Sequence, residues 1–298
     1  MYTTILVPVD GSKLAERALS IAMPLAEQHG ARLILFHAHE QVMPLTLGQG
    51  APVRDTALDE TWRTEARTYV EKLAKRTAKL TTAPVDAVFR DGRVVPTMLA
   101  VAAESGVGLI VMSTHGRGGF QRFWLGSVAD ALVRHAAVPV MLVRGARPPT
   151  KRLADAPPFV RAIVPLDGSD NAERALGAAK ALFGRTHARV TLVHVVHPMS
   201  AVAGANLKRD HGAEVVHEYL EPLAQRTASE TLEVRFEVKV DGNVARVLLE
   251  SAEVHDADLI VIAGQGLSGV QRFLVGSVAD KLIRTAAVPV MVVPGVAS

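Results

Sequence analysis

Four small residues, repeated at a fixed spacing, are the strongest candidates for chemistry in this chain. Gly116, Gly119, Gly126 and Ser127 recur as Gly266, Gly269, Gly276 and Ser277, each shifted by 150 positions. The two stretches read GRGGFQRFWLGS and GLSGVQRFLVGS. Each follows a short apolar run, ending in Met112-Ser113 or Ile262-Ala263, and each leads into a helical pattern that opens on Ser127-Val128 or Ser277-Val278. The context is therefore buried strand, glycine loop, helix start. Glycine lets a backbone approach a ligand closely. The first N–H groups of a helix lack internal partners and lie at the positive end of its dipole. A phosphate answers both conditions. A tight turn alone would account for one such pair of glycines. The return of all four positions, while the residues between them diverge, favours a phosphate site. The loop is not a Walker A loop, since no Lys precedes the serine. Nor is it a dinucleotide fingerprint, since it follows the fourth strand of its unit rather than the first.

Other candidates gather around this loop. Strand one of each copy runs through Pro8-Val9 or Pro165-Leu166 into Asp10 or Asp167, within Asp-Gly-Ser. These aspartates can accept hydrogen bonds from a base or a ribose, and the same tripeptide also makes a cap and turn at a helix start. Strand two ends near Ala38 or Val195. A nucleotide lying beyond the strand ends would touch all three segments. Arg117, beside the first loop glycine, can pair with phosphate; its counterpart is Leu267. Arg122 and Arg272 recur and serve equally well as helix-surface cover. His115 at the loop mouth is replaced by Gln265, which weakens a catalytic role. His37 and His194 sit among apolar neighbours and read as structural. His194 and His197 have no clear third ligand, so no protein-only metal site is expected. No Ser-His-Asp set can be defended from spacing. A bound triphosphate would bring Mg²⁺ or Mn²⁺ on its own oxygens.

A duplication positions these residues. ILVPVDGS at 5–12 returns as AIVPLDGS at 162–169, and ARLILFHAH at 31–39 as ARVTLVHVV at 188–196, both shifted by 157. DGRV at 91–94 returns as DGNV at 241–244, shifted by 150, so the second copy is seven residues shorter in its middle. In the first copy, strand signals at 3–9, 32–38, 85–90, 108–113 and 138–143 alternate with helix signals at 12–29, 58–80, 95–104 and 127–136. Ser12 is placed to cap the first helix and Gly30 to end it. Residues 41–52 read as a loop. Pro222 falls inside the second copy's long helix, where a kink or an early break is expected. The expected domains are 1–145 and 159–298, joined by a stiff Pro-rich linker at 146–158. Alternating strands and helices predict an α/β fold with parallel sheets covered on both faces.

Composition agrees. Of 298 residues, 49% are hydrophobic and only 4% aromatic, which suits strands built from Val, Leu, Ile and Ala. The 33 Lys and Arg against 30 Asp and Glu leave a net charge of +3 without a basic block, so no nucleic-acid partner is expected. There is no cysteine, which excludes disulfides and thiol catalysis. No apolar run is long enough for a membrane span and no signal peptide is evident, so a soluble, cytoplasmic protein is expected.

These motifs resemble the universal stress proteins in their tandem, two-domain form. ATP-binding members carry Gly-x2-Gly-x9-Gly-Ser/Thr. Here Gly116 is followed after nine residues by Gly126-Ser127, and Gly266 by Gly276-Ser277, while Ser113 and Ala263 stand where the motif has its first glycine. The VPVDGS and VPVMLV strands are also similar to that family. The resemblance implies two Rossmann-like, doubly wound domains, each with a five-stranded parallel sheet. ATP would lie between Asp10, the Ala38 region and the glycine loop. It implies a stress-response role with weak or no hydrolysis, and pairing through the fifth strand, here between the two copies, with room for a homodimer besides. A slow ATPase or nucleotidyl-transfer enzyme, and an interaction protein that binds no nucleotide, remain the alternatives. The contrasts Arg117/Leu267 and Ser113/Ala263 lead to the expectation that the first copy binds more tightly.

Overall fold

A computed structural model of the chain describes residues 2–40, 56–114, 125–144, 157–184, 186–196, 198, 213–264 and 276–295. Strands and helices alternate as the sequence pattern requires. The first half runs β1 (Thr4–Pro8), a 3-10 turn (Ala15–Ala18), α1 (Leu19–His29), β2 (Arg32–His39), α2 (Thr56–Thr77), β3 (Val85–Asp91), α3 (Val94–Glu104), β4 (Leu109–Ser113), α4 (Ser127–His135) and β5 (Val140–Val143). The second runs β6 (Arg161–Pro165), α5 (Asp170–Phe183), β7 (Ala188–Val196), α6 (Ala213–Thr227), β8 (Leu232–Val240), α7 (Val244–Val254), β9 (Leu259–Ala263), α8 (Ser277–Thr285) and β10 (Val290–Val293).

The ten strands form one sheet, in the order β3-β2-β1-β4-β5-β10-β9-β6-β7-β8. Within each half all pairs are parallel. The two five-stranded sheets expected from the sequence are thus fused, and the joint is the antiparallel pair β5–β10. Its register places Val290 opposite Leu142, Met291 opposite Met141 and Val292 opposite Val140. Met141 and Met291 are equivalent positions of the repeat, so the pseudo-twofold axis passes between them. This covers the apolar edge that strand five would otherwise expose. Both strands begin at Val140 and Val290 rather than two residues earlier. Pro139 and Pro289 have no N–H to give, and they contribute only their carbonyls, which accept from Ile110 N–H and Ile260 N–H at 3.0 Å each.

Successive side chains along the strands point to opposite faces. Ile5 and Val7 join a core that includes Leu19, Met23, Leu73, Leu176, Phe183 and Leu220 from α1, α2, α5 and α6. Leu6 joins a second core with Met98, Leu132, Leu248 and Leu282 from α3, α4, α7 and α8. Helices therefore cover both faces, and both cores run through both halves. Gly30, at φ 63°, closes α1 in the left-handed conformation, and Ala31 N–H returns to Ala26 O at 2.8 Å. Two local expectations change. The segment after Ser12 begins as a 3-10 turn, whereas its counterpart after Ser169 is helical from Asp170. Of the kink or early break expected at Pro222, the break does not occur, and helix α6 continues to Thr227. Among the described residues no helix is long and apolar enough to cross a membrane.

Candidate functional site

In each half the winding reverses between the first and fourth strands, because the order is 3-2-1-4-5. Such a switch point opens a crevice at the carboxyl ends of the strands. After β1, Val9 N–H still donates to Phe36 O at 2.9 Å, and Leu166 N–H donates likewise to Val193 O. The chain then turns through Gly11 at φ 86° and Gly168 at φ 80°, a region that only glycine occupies without strain. Asp10 Oδ1 accepts from Ser12 N–H at 2.9 Å, and Ser12 Oγ accepts from Ala15 N–H at 3.1 Å. Asp167 Oδ1 accepts from Ser169 N–H at 3.0 Å and from its hydroxyl at 2.6 Å, while Ser169 Oγ caps Ala172 N–H at 3.2 Å. One oxygen of each aspartate thus serves the cap and turn, and Asp167 also lines the crevice of its half.

A brace behind each turn repeats in both halves. Tyr69 Oη donates to Glu16 at 3.1 Å and Tyr219 Oη to Glu173 at 2.9 Å. Arg76 pairs with the same Glu16, and Arg226 with Glu173 at 2.7 Å. Burial, then the neighbouring glutamate, pushes both phenols above their ordinary pKa. His37 lies against the rings of Tyr69 and Phe89, and His194 is 7% exposed. Burial pushes the His194 pKa down, against the pull of Asp167. No set of three His, Asp or Glu side chains among the described residues is placed to hold a metal ion.

The other wall is a pair of helix starts. Gly126 and Gly276 precede α4 and α8 in extended conformation, and no side chain caps either helix. Gly126 N–H donates to Thr114 O at 3.1 Å, and a Cβ at this position would lie 3.2 Å from that oxygen. Close approach, not a positive φ, is what requires glycine here. The N–H groups of Ser127-Val128 and Ser277-Val278 are left as the helices' positive ends.

In the second half these pieces enclose one cavity of about 230 Å³. Pro165, Leu166, Asp167, Val195, Ile262, Ala263, Gly276, Ser277 and Val278, nine positions singled out by sequence, all line it. In the first half, Pro8, Val9, Asp10, Ala38, Met112, Ser113, Gly126, Ser127 and Val128 occupy the equivalent strand ends and helix start. His115, Gly116, Arg117, Gly119, Gly266 and Gly269 lie outside the described residues, as do Arg122, Arg272, His197, the 41–52 loop and most of the expected linker. Six lining residues were not singled out by sequence: Ala172, Ala279 and four with larger side chains. Val244 and Leu248 come from one face of α7, and Val193 from inside β7. Asn171, on the first turn of α5, donates from Nδ2 to Gly264 O at 2.6 Å. Its counterpart in the repeat is Leu14, so a search for repeated residues passes it by.

Fold and crevice together define a duplicated, doubly wound α/β protein whose strand ends face uncapped helix N-termini. The chain belongs to the universal stress protein family: the model of that family matches residues 1–144 and again 158–294. A universal stress protein of Thermus aquaticus is 38% identical over 145 residues, covering 48% of this chain and all of that protein. One of Mycobacterium tuberculosis is 30% identical over 203 residues, or 66% of this chain and 65% of the relative. Among solved structures, a universal stress protein from Archaeoglobus fulgidus superposes with a TM-score of 0.72 at 20% identity, over 98% of this chain and 96% of the other. A putative universal stress protein from Pseudomonas aeruginosa gives 0.61 at 18%, over 99% and 94%. These two likenesses establish the shared fold.

Proposed function

We propose that the protein binds adenine nucleotide, ATP in the first place, in each half, through units at 1–145 and 159–298, and acts as a cytoplasmic stress-response sensor or regulator rather than a catalyst. The observation that carries this reading is the cavity of the second half. There the uncapped start of α8 opens beside Asp167 and an apolar floor that includes Val195 and Leu248. The helix N–H groups suit phosphate, the carboxylate suits a hydroxyl or amine, and the floor suits the face of a base. Any Mg²⁺ or Mn²⁺ would ride on the phosphates. In the first half Arg117 adds a cation beside the loop, which makes that site the tighter of the two.

The test is calorimetric titration of ATP into the wild type and into Gly126→Asp and Gly276→Asp. An aspartate at this position can cap the helix, while its charge occupies the phosphate position; because a Cβ at 126 lies 3.2 Å from Thr114 O, a thermal melt of each variant checks that the fold is kept. Two equivalents are expected for the wild type and one for each variant. Affinity at the altered site should fall by at least about 100-fold, the loss of two charge-assisted hydrogen bonds. Full stoichiometry in the double variant, or no binding by the wild type, refutes the proposal.

A further inference from the structure

The two crevices close their strand-four ends differently. In the first half the carbonyl of Thr114, just beyond β4, accepts from Gly126 N–H at 3.1 Å. In the second half the equivalent carbonyl, Gly264 O, accepts from Asn171 Nδ2 at 2.6 Å. A carbonyl only accepts, so the amide has one possible orientation, with its NH₂ toward Gly264. The Asn171 Oδ1 atom is then turned away from Gly264. It is screened from solvent and has no hydrogen-bond partner among the described residues, and Asn171 lines the cavity. A buried acceptor left unmade costs free energy until a donor reaches it. The first half has Leu14 at this place, which offers no acceptor.

We infer that Asn171 is a specificity-determining residue of the second site. Its Oδ1 accepts a hydrogen bond from an N–H or O–H donor of the bound ligand, so the second site demands that donor and the first does not. The inference rests on the nucleotide reading above. On that reading, the sources of such a donor are the ribose hydroxyls and the 6-amino group of the base. The lining of the cavity includes the polar Asp167, Ser169, Asn171 and Ser277 and the apolar Val193, Val195, Val244 and Leu248. On that reading, a ligand with its phosphate at Ser277 presents a polar edge of its sugar or base to Asn171, which lines the same cavity.

The experiment uses the full chain with Gly126→Asp in the background, so that only the second site is read. ATP, 2′-deoxy-ATP, 3′-deoxy-ATP and purine riboside triphosphate, which lacks the 6-amino group, are titrated into it with Asn171 intact, with Asn171→Leu and with Asn171→Ala. One analogue should bind about tenfold more weakly than ATP when Asn171 is present, the effect of one unmet hydrogen bond. That analogue identifies the donor. In both Asn171 variants its ratio to ATP should fall to near one. The ratio compares ligands on the same protein, so a general loss of stability leaves it unmoved. In the converse background, Gly276→Asp, the first site should show no comparable discrimination at that donor. If Gly126→Asp binds ATP but the ratio is unchanged by Asn171→Leu and Asn171→Ala, or is near one throughout, the role of Asn171 is overturned and the nucleotide reading stands. If Gly126→Asp and the wild type both bind no nucleotide, the two readings fail together.

Discussion

Met141→Ala and Met291→Ala test the joint between the halves at its centre. Both side chains are fully buried, stand opposite each other across β5–β10 and share one core. Truncation removes Cγ, Sδ and Cε. At about 0.8 kcal/mol for each buried group, transfer alone costs about 2.5 kcal/mol. A cavity left between close-packed strands takes the cost toward about 5 kcal/mol. The two truncations open the same space, so their effects should not add. A coupling of about 0.5–3 kcal/mol is expected for side chains in contact. The assay is urea unfolding of the wild type, both single variants and the double variant, with hydrogen exchange of 140–143 and 290–293 as a local readout. The strands should be among the best protected in the molecule. Single-variant losses under about 1 kcal/mol would show that the methionines are not buried at the joint. Additivity within about 0.3 kcal/mol would show that they do not meet.

Two further outcomes follow from particular residues. Asp258 accepts from Val160 N–H and Arg161 N–H at 3.0 Å each, and burial holds its pKa above the ordinary carboxylate value. The native protein therefore takes up a proton at a pH where the unfolded chain does not. This contribution grows as pH falls toward the ordinary carboxylate value from above, so urea midpoints between about pH 6 and pH 4 should fall less steeply for the wild type than for Asp258→Asn; identical slopes would refute the assignment. Pro222 is exposed and interrupts the hydrogen-bond ladder of α6. Pro222→Ala should raise stability by about 2 kcal/mol, the helix-interior penalty of about 3 less about 1 for the freer unfolded chain, read as a higher Tm.

Much of the architecture was legible because the signals repeat. The double occurrence of Gly-Ser before a helical pattern located both starts, at Gly126-Ser127 and Gly276-Ser277. Apolar VPVMLV-type runs at the end of each copy pointed to a covered edge, and the β5–β10 pair covers it. What escaped was local or unrepeated. The 3-10 turn after Ser12 and the regular helix after Ser169 follow the same Asp-Gly-Ser but part at the next residues, Lys13-Leu14 against Asp170-Asn171, where Asp170 in the first turn favours a helix start. Pro222 removes one N–H, a loss that an exposed helix packed through Val216, Leu220 and Leu223 can absorb. Val244 and Leu248 reach the cavity from a helix flank, four residues apart, whereas strand-end reasoning looks only at the sheet. Asn171 was hidden for the opposite reason to the glycines: its partner in the repeat is a leucine, and a filter for repetition discards what makes the halves differ.

The same helices that present their N-termini to the crevices meet the joint with their other ends. Helices α4 and α8 have nine residues each, about 13 Å from end to end. Near their C-termini Arg134 pairs with Asp130 at 2.9 Å and Arg284 with Asp280 at 2.8 Å. The Asp130 bond raises the Arg134 pKa, with a further pull from Asp280 of the other half; Arg284 is raised likewise, with a further pull from Asp130. Arg144, just past β5, donates to the backbone carbonyl of Arg284. Each crevice is thus one short rigid body away from the opposite half. On the nucleotide reading, a phosphate at the start of α8 would sit on a helix whose far end is held by the first half through Arg144. The joint therefore does more than hide an adhesive edge: it places the two crevices on one continuous frame, which two separate domains on a linker would not share.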